Sequence, residues 1–327
     1  MRRAIFAALA AALAGSGPAV AQSDHVYPAR PVTIVVPFPP GGPTDTLARL
    51  LAERMRVTLG QPVVVENVSG AGGSTGVGRV ARAPPDGHTF GIGNWTSHVG
   101  GPAIYPVTYD IVQDLEPVAL LPVAPTMVVG KTALPANDMR ELIVWLKANP
   151  GRASAGTIGV GSPSYVSSVY FQQATGTRFQ FVPYRGSAPA MQDLIAGQID
   201  LRFGSEASQT LPYLRSGQIK AFAILAKSRW VAMPDVPTID EAGVPGLHVN
   251  FWHGLWTPKG VAPDIIAKLN AAVVDALADP AVARRLTDLG LDMPPRDQLT
   301  PQALGALHKA ELEKWWPIIK AANIKAE

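Results

Sequence analysis

The stretch Val32-Thr33-Ile34-Val35-Val36-Pro37-Phe38-Pro39-Pro40-Gly41-Gly42-Pro43-Thr44-Asp45 decides the fold. Its first five residues are β-branched, the composition of a buried strand. Prolines and glycines then end the strand in a turn. Beyond Asp45, Leu47, Leu50, Leu51 and Met55 recur at helical spacing until Gly60 closes the run. The unit is therefore strand, glycine-rich turn, helix. It repeats outward: Val63 to Glu66 reads as a strand, Ser69 to Gly76 as a flexible turn, and the residues up to Ala83 as a helix, before a third strand from Thr89 to Ile92. Such alternation predicts an α/β fold on mainly parallel strands.

Two strand-like runs, Val118 to Leu121 and Thr126 to Val129, are separated by Pro122 and Pro125, after which the βα pattern starts afresh. This reads as a first crossing between two lobes. Strands are expected at Ala153 to Ile158, Phe179 to Val182, Ile199 to Phe203 and Ala221 to Leu225. Asn137 or Asp138, and Ser187, read as helix N-caps. The apolar-aromatic run Val249 to Trp256 reads as a strand returning to the first lobe. A helical tail follows, with Ile265, Ile266, Leu269, Val273 and Leu277 on one face, a helix after Pro280 ended by Gly290, and another after Pro301 that Pro317 kinks or stops. The expected lobes are residues 22–123 with 249–327, and 124–248.

Arg2 and Arg3 precede an apolar run from Ala4 to Ala14, and the small residues of Ala19-Val20-Ala21 precede Gln22. That is the pattern of a secretory signal, residues 1–21, cleaved after Ala21. The apolar run falls short of the roughly 20 residues that span a bilayer. The chain has no cysteine, which excludes an N-terminal lipid anchor on Cys, disulfides and thiolate metal sites. A free, periplasmic protein is expected. Lys and Arg number 28 against 25 Asp and Glu, and removing Arg2 and Arg3 leaves 26 against 25. No basic cluster suits a phosphate backbone, so nucleic acid is not an expected partner.

Three segments share one plan, a strand, a turn bearing Gly, Pro and a hydroxyl, then a helix: Pro39 to Asp45, Gly159 to Ser164, and Tyr184 to Pro189. The first turn of a helix presents unpaired N–H groups and the positive end of its dipole, a setting for an anion. Ligands of open α/β sheets bind outside the carboxyl ends of the strands. Any one turn is explained by chain geometry before function, whereas three of them, two in a separate lobe, weigh against that reading. Asp45 either complements the dipole or accepts a bond from a ligand. Arg185 either faces the cleft as a carboxylate partner or lies on the surface. Glu206 is a weaker candidate contact, and Trp95, Phe251, Trp252 and Trp256 read as packing residues that can also stack on a planar ligand. Catalytic patterns are absent. Gly76-Val77-Gly78-Arg79-Val80-Ala81 lies past its strand and lacks the acid that would hold a ribose. His248 and His253, placed in one strand at odd spacing, point to opposite faces and make no metal pair.

Taken in order, the motifs resemble the Bug family of periplasmic binding proteins, the substrate-capturing subunits associated with tripartite tricarboxylate transporters. The resemblance rests on Pro37 to Asp45, Val65-Glu-Asn67 with Gly70-Ala-Gly-Gly73, Pro85-Asp-Gly-His-Thr89, and Pro183-Tyr-Arg-Gly186 leading to Asp193-Leu and Gly197-Gln-Ile-Asp200. It continues through Met233-Pro-Asp-Val-Pro-Thr238, Glu241-Ala-Gly-Val-Pro245 and Trp252-His-Gly-Leu255. It implies a two-lobed type II periplasmic-binding fold, closing on a small carboxylate held largely by backbone N–H groups and bound water. No catalysis, cofactor or metal is implied. The positions it carries over are Gly41, Gly42, Thr44 and Asp45, Thr96 and Ser97, Ser162 with Ser164, and Arg185 with Gly186. Phe38, Trp95 and Glu206 complete the candidate set. Val68-Ser69 departs from the Arg-Pro more usual before the Gly-Ala-Gly. The implied partners are the membrane subunits of a tripartite transporter, with the receptor a monomer. The alternative is a ligand-dependent periplasmic partner of a sensor kinase.

Overall fold

A computed structural model describes residues 27–325. The expected signal segment, residues 1–21, lies outside the described residues. Strand β1 (Val32–Val36) is buried at every position except Thr33, as a central parallel strand requires. It pairs in parallel with β2 (Val63–Asn67) on one side and β3 (Thr89–Asn94) on the other. Beside β3 lies β10 (Phe251–Pro258), antiparallel both to it and to β4 (Leu115–Ala124), giving the order β2-β1-β3-β10-β4. A second sheet has the order β7-β6-β8-β5-β9, built from β5 (Thr126–Lys131), β6 (Ser154–Thr157), β7 (Gln180–Pro183), β8 (Leu201–Glu206) and β9 (Ile219–Ile224). In it β6 runs parallel to β7 and β8, while β5 is antiparallel to β8 and β9. The result is a two-lobed α/β fold with one five-stranded sheet in each lobe.

Helix α1 (Pro43–Leu59) follows β1, with Pro43 at a position where its missing N–H costs nothing. Gly60 ends it in a left-handed conformation, φ 69°, its N–H donated to the Arg56 carbonyl at 3.1 Å. Leu47, Leu51 and Met55 are fully buried against the first sheet, each contributing about 1.5–3 kcal/mol. The shorter elements after β2 and β3 are α2 (Ser74–Ala81), a π-helical turn at Thr96–Gly100 and α3 (Gly101–Ile104). The second lobe carries α4 (Met139–Ala148), α5 (Pro163–Thr175), α6 (Ser187–Ile195) and α7 (Ala207–Arg215), and the tail forms α8 (Pro263–Ala278), α9 (Pro280–Asp288) and α10 (Pro301–Ala321).

Four expectations are corrected. Pro122 does not separate two strands but lies within β4. That strand is at the edge of its sheet, where a residue without an N–H is tolerated. Ser187 is the first residue of α6 rather than its cap, which is the extended Gly186; Asp138, by contrast, caps α4 by accepting the Glu141 N–H. His248 precedes β10, so only His253 of the two belongs to the strand. Helix α10 neither stops nor ends at Pro317 but continues to Ala321. The bond this proline forfeits belongs to the carbonyl of the exposed Glu313, which water can satisfy.

The chain crosses between lobes after β4 and again before β10. The Thr126 hydroxyl donates to the Val249 carbonyl. The Leu225 N–H donates to the Thr126 carbonyl at 2.7 Å, and the Val249 N–H to the Leu225 carbonyl at 2.9 Å. The two crossings are therefore bonded to one another and to the end of β9.

Candidate ligand-binding cleft

Gly41 has φ 83°, a left-handed conformation open to glycine but strained for other residues, whereas Gly42 is extended, φ −78° and ψ 170°. What fixes this turn is Asp45, a carboxylate only 2% exposed. Its Oδ2 accepts the Gly41 N–H at 2.8 Å and Arg49 Nε–H at 2.9 Å, and its Oδ1 accepts Asn67 Nδ2–H at 2.9 Å. Asn67 also donates to the Phe38 carbonyl at 3.0 Å and accepts from Arg49 Nη2 at 3.2 Å. Burial alone pushes the Asp45 carboxyl up. The bonds from Arg49, Gly41 and Asn67, with the charge of Arg49, outweigh it and hold the group at about 2. Asp45 is thus an internal clamp on the turn. Since Pro43 has no N–H and Gly41 has given its own to Asp45, the donors at the start of α1 are those of Gly42, Thr44 and Asp45.

The hydroxyls named by the sequence are mostly engaged inside the protein. Thr44, 3% exposed, accepts Asn94 Nδ2–H at 3.0 Å and lies 3.2 Å from His253 Nε2. Burial holds the His253 imidazole down at about 4, with the Pro122 carbonyl opposing. The neutral ring, its Nδ1 3.4 Å from that carbonyl, then offers Nε2 as acceptor for the Thr44 proton. Ser97 has no exposed surface, and its Oγ meets the N–H and carbonyl of Asn94 and Nδ1 of His98. Thr96 and Phe38 are half-buried. Trp95 is wholly buried and donates its indole N–H to Glu311 at 2.8 Å, which makes it a core residue.

In the second lobe Ser162 caps α5, accepting the Tyr165 N–H at 3.3 Å and donating to the Gly159 carbonyl at 2.7 Å. Ser164 lies 2.8 Å from Ser162 and accepts the Ile158 N–H at 3.1 Å. Arg185 is exposed and Gly186 half-buried. The buried cation here is Arg202, 1% exposed, whose Nη2 donates to Ser187 Oγ at 2.9 Å and Nη1 to the Ser187 carbonyl at 3.4 Å. It ties β8 to the turn that begins α6. Burial draws its guanidinium down to about 10, against the opposing charges of Glu206 and Tyr184. Glu206 ends β8 opposite Thr126. Burial pushes its carboxyl up to about 7, Arg202 opposing.

The strand ends of the two lobes meet. Gly100, after β3, lies so close to Gly161, after β6, that a Cβ on Gly100 would stand 2.1 Å from the Gly161 carbonyl oxygen. A Cβ on Gly161 would meet Ile104 at 2.6 Å. Among the described residues no group of three or more His, Asp or Glu is arranged to hold a metal ion. Asn67, Asn94, His253 and Arg202, which complete the site's internal bonds, were not among the sequence candidates. Only Arg202 carried a local signal, a cation set between the apolar Leu201 and Phe203 of its strand.

Residues 47–324 match the family described as Tripartite tricarboxylate transporter family receptor. Among solved structures, the periplasmic binding protein BugD is 37% identical, covering 92% of this chain and 100% of its own, with a TM-score of 0.79. MatC from Rhodopseudomonas palustris, solved with bound malate, is 40% identical, covering 90% of this chain and 100% of its own, with a TM-score of 0.79. An R. palustris protein solved with adipate is 33% identical, covering 92% of this chain and 100% of its own, with a TM-score of 0.80. The chain belongs to the tripartite tricarboxylate transporter receptors, the Bug-type family of periplasmic solute-binding proteins.

Proposed function

We propose that the protein captures a small carboxylate between its lobes, residues 22–123 with 249–327 and residues 124–248, and passes it to the membrane subunits of a tripartite tricarboxylate-type transporter. The observation that carries this reading is the Asp45 clamp. It fixes Gly41 and leaves the N–H groups of Gly42, Thr44 and Asp45 at the positive end of a 17-residue helix. Most nearby hydroxyls are taken by protein partners, so a bound carboxylate is recognised chiefly by backbone donors and water. We assign the distal end of the solute to the second lobe, at Ser162 and Ser164, the Arg185-Gly186-Ser187 turn braced by Arg202, and Glu206.

Bonds to a charged group contribute roughly 1.5–3 kcal/mol each. Two or three approach the roughly 8 kcal/mol of a micromolar complex before ordering costs are subtracted. The malate and adipate of the two related structures make dicarboxylates of four to six carbons the first probes for this chain. The reading has the protein work as a monomer without chemical turnover, exported by removal of residues 1–21. Calorimetric titration with malate and adipate, joined to mass spectrometry of solutes released from gently purified protein, tests it. A carboxylate that binds and is recovered unchanged is the expected result; release of solutes lacking any carboxylate would overturn it.

A further inference from the structure

Strand β8 carries a carboxyl to the cleft end of the second lobe. Leu201 and Phe203 are buried in the core, and at Gly204, φ 57°, the strand runs so close to the start of α5 that a Cβ would stand 2.9 Å from the Pro163 carbonyl carbon. Two residues further on, Glu206 ends the strand opposite Thr126 at the first crossing. It lies at the carboxyl end of a strand, beside the Ser162–Ser164 turn, where α/β sheets hold their ligands. The residue is half-buried, and among the described residues no donor is within hydrogen-bond or ion-pair range of its carboxyl. An ionised carboxylate in that position has given up water without gaining a partner.

The charged group that acts on Glu206 is Arg202 of the same strand, whose guanidinium N–H groups are given to Ser187 at 2.9 and 3.4 Å. On the turn beside Arg202, Tyr184 donates its hydroxyl to Asp193 at 2.6 Å, and Arg185 is exposed. Thr126 and Met127 of β5, and Pro163 and Ser164 of α5, carry no charge. Burial prevails over Arg202 and holds the Glu206 carboxyl at about 7, so both of its forms are present at neutral pH. The ionised form would repel a second carboxylate. The protonated form has an O–H with no acceptor among the described residues, and such a group makes a short, charge-assisted bond to a carboxylate. Resting on the reading of the protein as a carboxylate receptor, we propose that Glu206 takes a proton from solvent as a dicarboxylate binds, donates it in a hydrogen bond to the distal carboxylate, and so selects diacids. The negative charge of the solute favours the protonated side chain, so uptake occurs above pH 7 and affinity falls as pH rises.

Adipate and malate are titrated calorimetrically between pH 6 and pH 9, and at pH 8 in two buffers of unlike ionisation enthalpy, which counts the protons taken up on binding. The wild type is expected to take up about one proton per diacid at pH 8 and to lose affinity at least tenfold between pH 7 and pH 9. Glu206→Gln, whose amide donates at every pH, should take up none, hold its affinity across the range, and bind more tightly than the wild type at pH 9. At pH 6, 6-aminohexanoate, with an ammonium where adipate has its distal carboxylate, should bind at least tenfold more weakly than adipate. If Glu206→Gln melts below the wild type, the ¹³C resonance of the Glu206 carboxyl in the wild type takes its place; its titration should move to higher pH when adipate binds, and an unmoved titration would overturn the inference. So would a diacid that binds without proton uptake, uptake that survives in Glu206→Gln, or 6-aminohexanoate binding more tightly than adipate, and each of these leaves the carboxylate reading standing. If neither diacid binds at any pH, the two fall together.

Discussion

The Gly41 N–H points at Oδ2 of Asp45, four residues further along the chain, from 2.8 Å, and so is withheld from any ligand. The donor next in line is Gly42, and its geometry makes a clean experiment. Gly42 is extended, and a Cβ there meets only the Pro39 carbonyl oxygen, at 3.7 Å. Gly42→Val should therefore melt close to the wild type while its side chain fills the place of the carboxylate, lowering affinity by roughly 3–6 kcal/mol, the worth of two charge-assisted bonds. Gly41→Val should instead lower stability by about 1–3 kcal/mol through its left-handed φ of 83°. Calorimetry and melting on both variants check this; full affinity in Gly42→Val would remove this turn from the site.

Asp45→Asn tests the clamp itself. A carboxyl held at about 2 against an ordinary 3.8 favours the folded state above the unfolded value and loses that contribution as pH falls toward 2. The expected loss in the variant is about 2 kcal/mol at pH 7, shrinking toward pH 2. Urea unfolding across that range reads both the size and the trend.

His253 gives a dependence of the same sign in a higher pH window, although here it is the neutral form that folding favours, because burial keeps the ring uncharged. With its folded value near 4 and its ordinary value 6.5, the unfolded chain binds the extra proton between those limits. Stability from the neutral ring is present above pH 6.5 and lost as pH falls toward 4. Replacement by Gln should flatten the decline by up to about 1.4 kcal/mol per pH unit within that window. Comparing the two proteins cancels contributions from the other titrating groups, and parallel curves would contradict the assignment.

Gly100 is helical, φ −70° and ψ −47°, so alanine suits its backbone. What alanine meets is the other lobe, the Gly161 carbonyl at 2.1 Å, with the Trp95 ring also tight at 3.0 Å. Gly100→Ala should hold the lobes apart. Small-angle scattering should show wild-type protein compacting with a bound carboxylate and the variant failing to do so, with affinity at least tenfold weaker.

Much of the architecture was legible because it is written locally. The β-branched Val32–Val36, the turn after it and the spaced leucines of α1 each speak for themselves, and Val249 to Trp256 was placed as a return strand by its apolar run. The site was harder. Asp45 was seen, but nothing within the turn tells whether its carboxylate faces a solute or folds back on Gly41. That depends on Asn67, which is 22 residues away, and Arg49. Thr44 was named for its hydroxyl, yet its partners Asn94 and His253 are 50 and 209 residues distant. Ser187 looked like a cap because Ser suits that role, whereas its hydroxyl serves Arg202 from another strand.

The prolines of β4 have a consequence for how densely the protein can be kept. An edge strand with a full row of free N–H and C=O groups is a template for pairing with another copy of itself. β4 carries Pro117 and Pro122, each lacking a donor, and Val123 is closed off by two backbone bonds to Asp292, at 3.0 and 2.8 Å. The strand that completes the first sheet is thereby a poor template for strand-to-strand association. Copies of the chain held at high concentration are therefore hindered from zipping together along this edge.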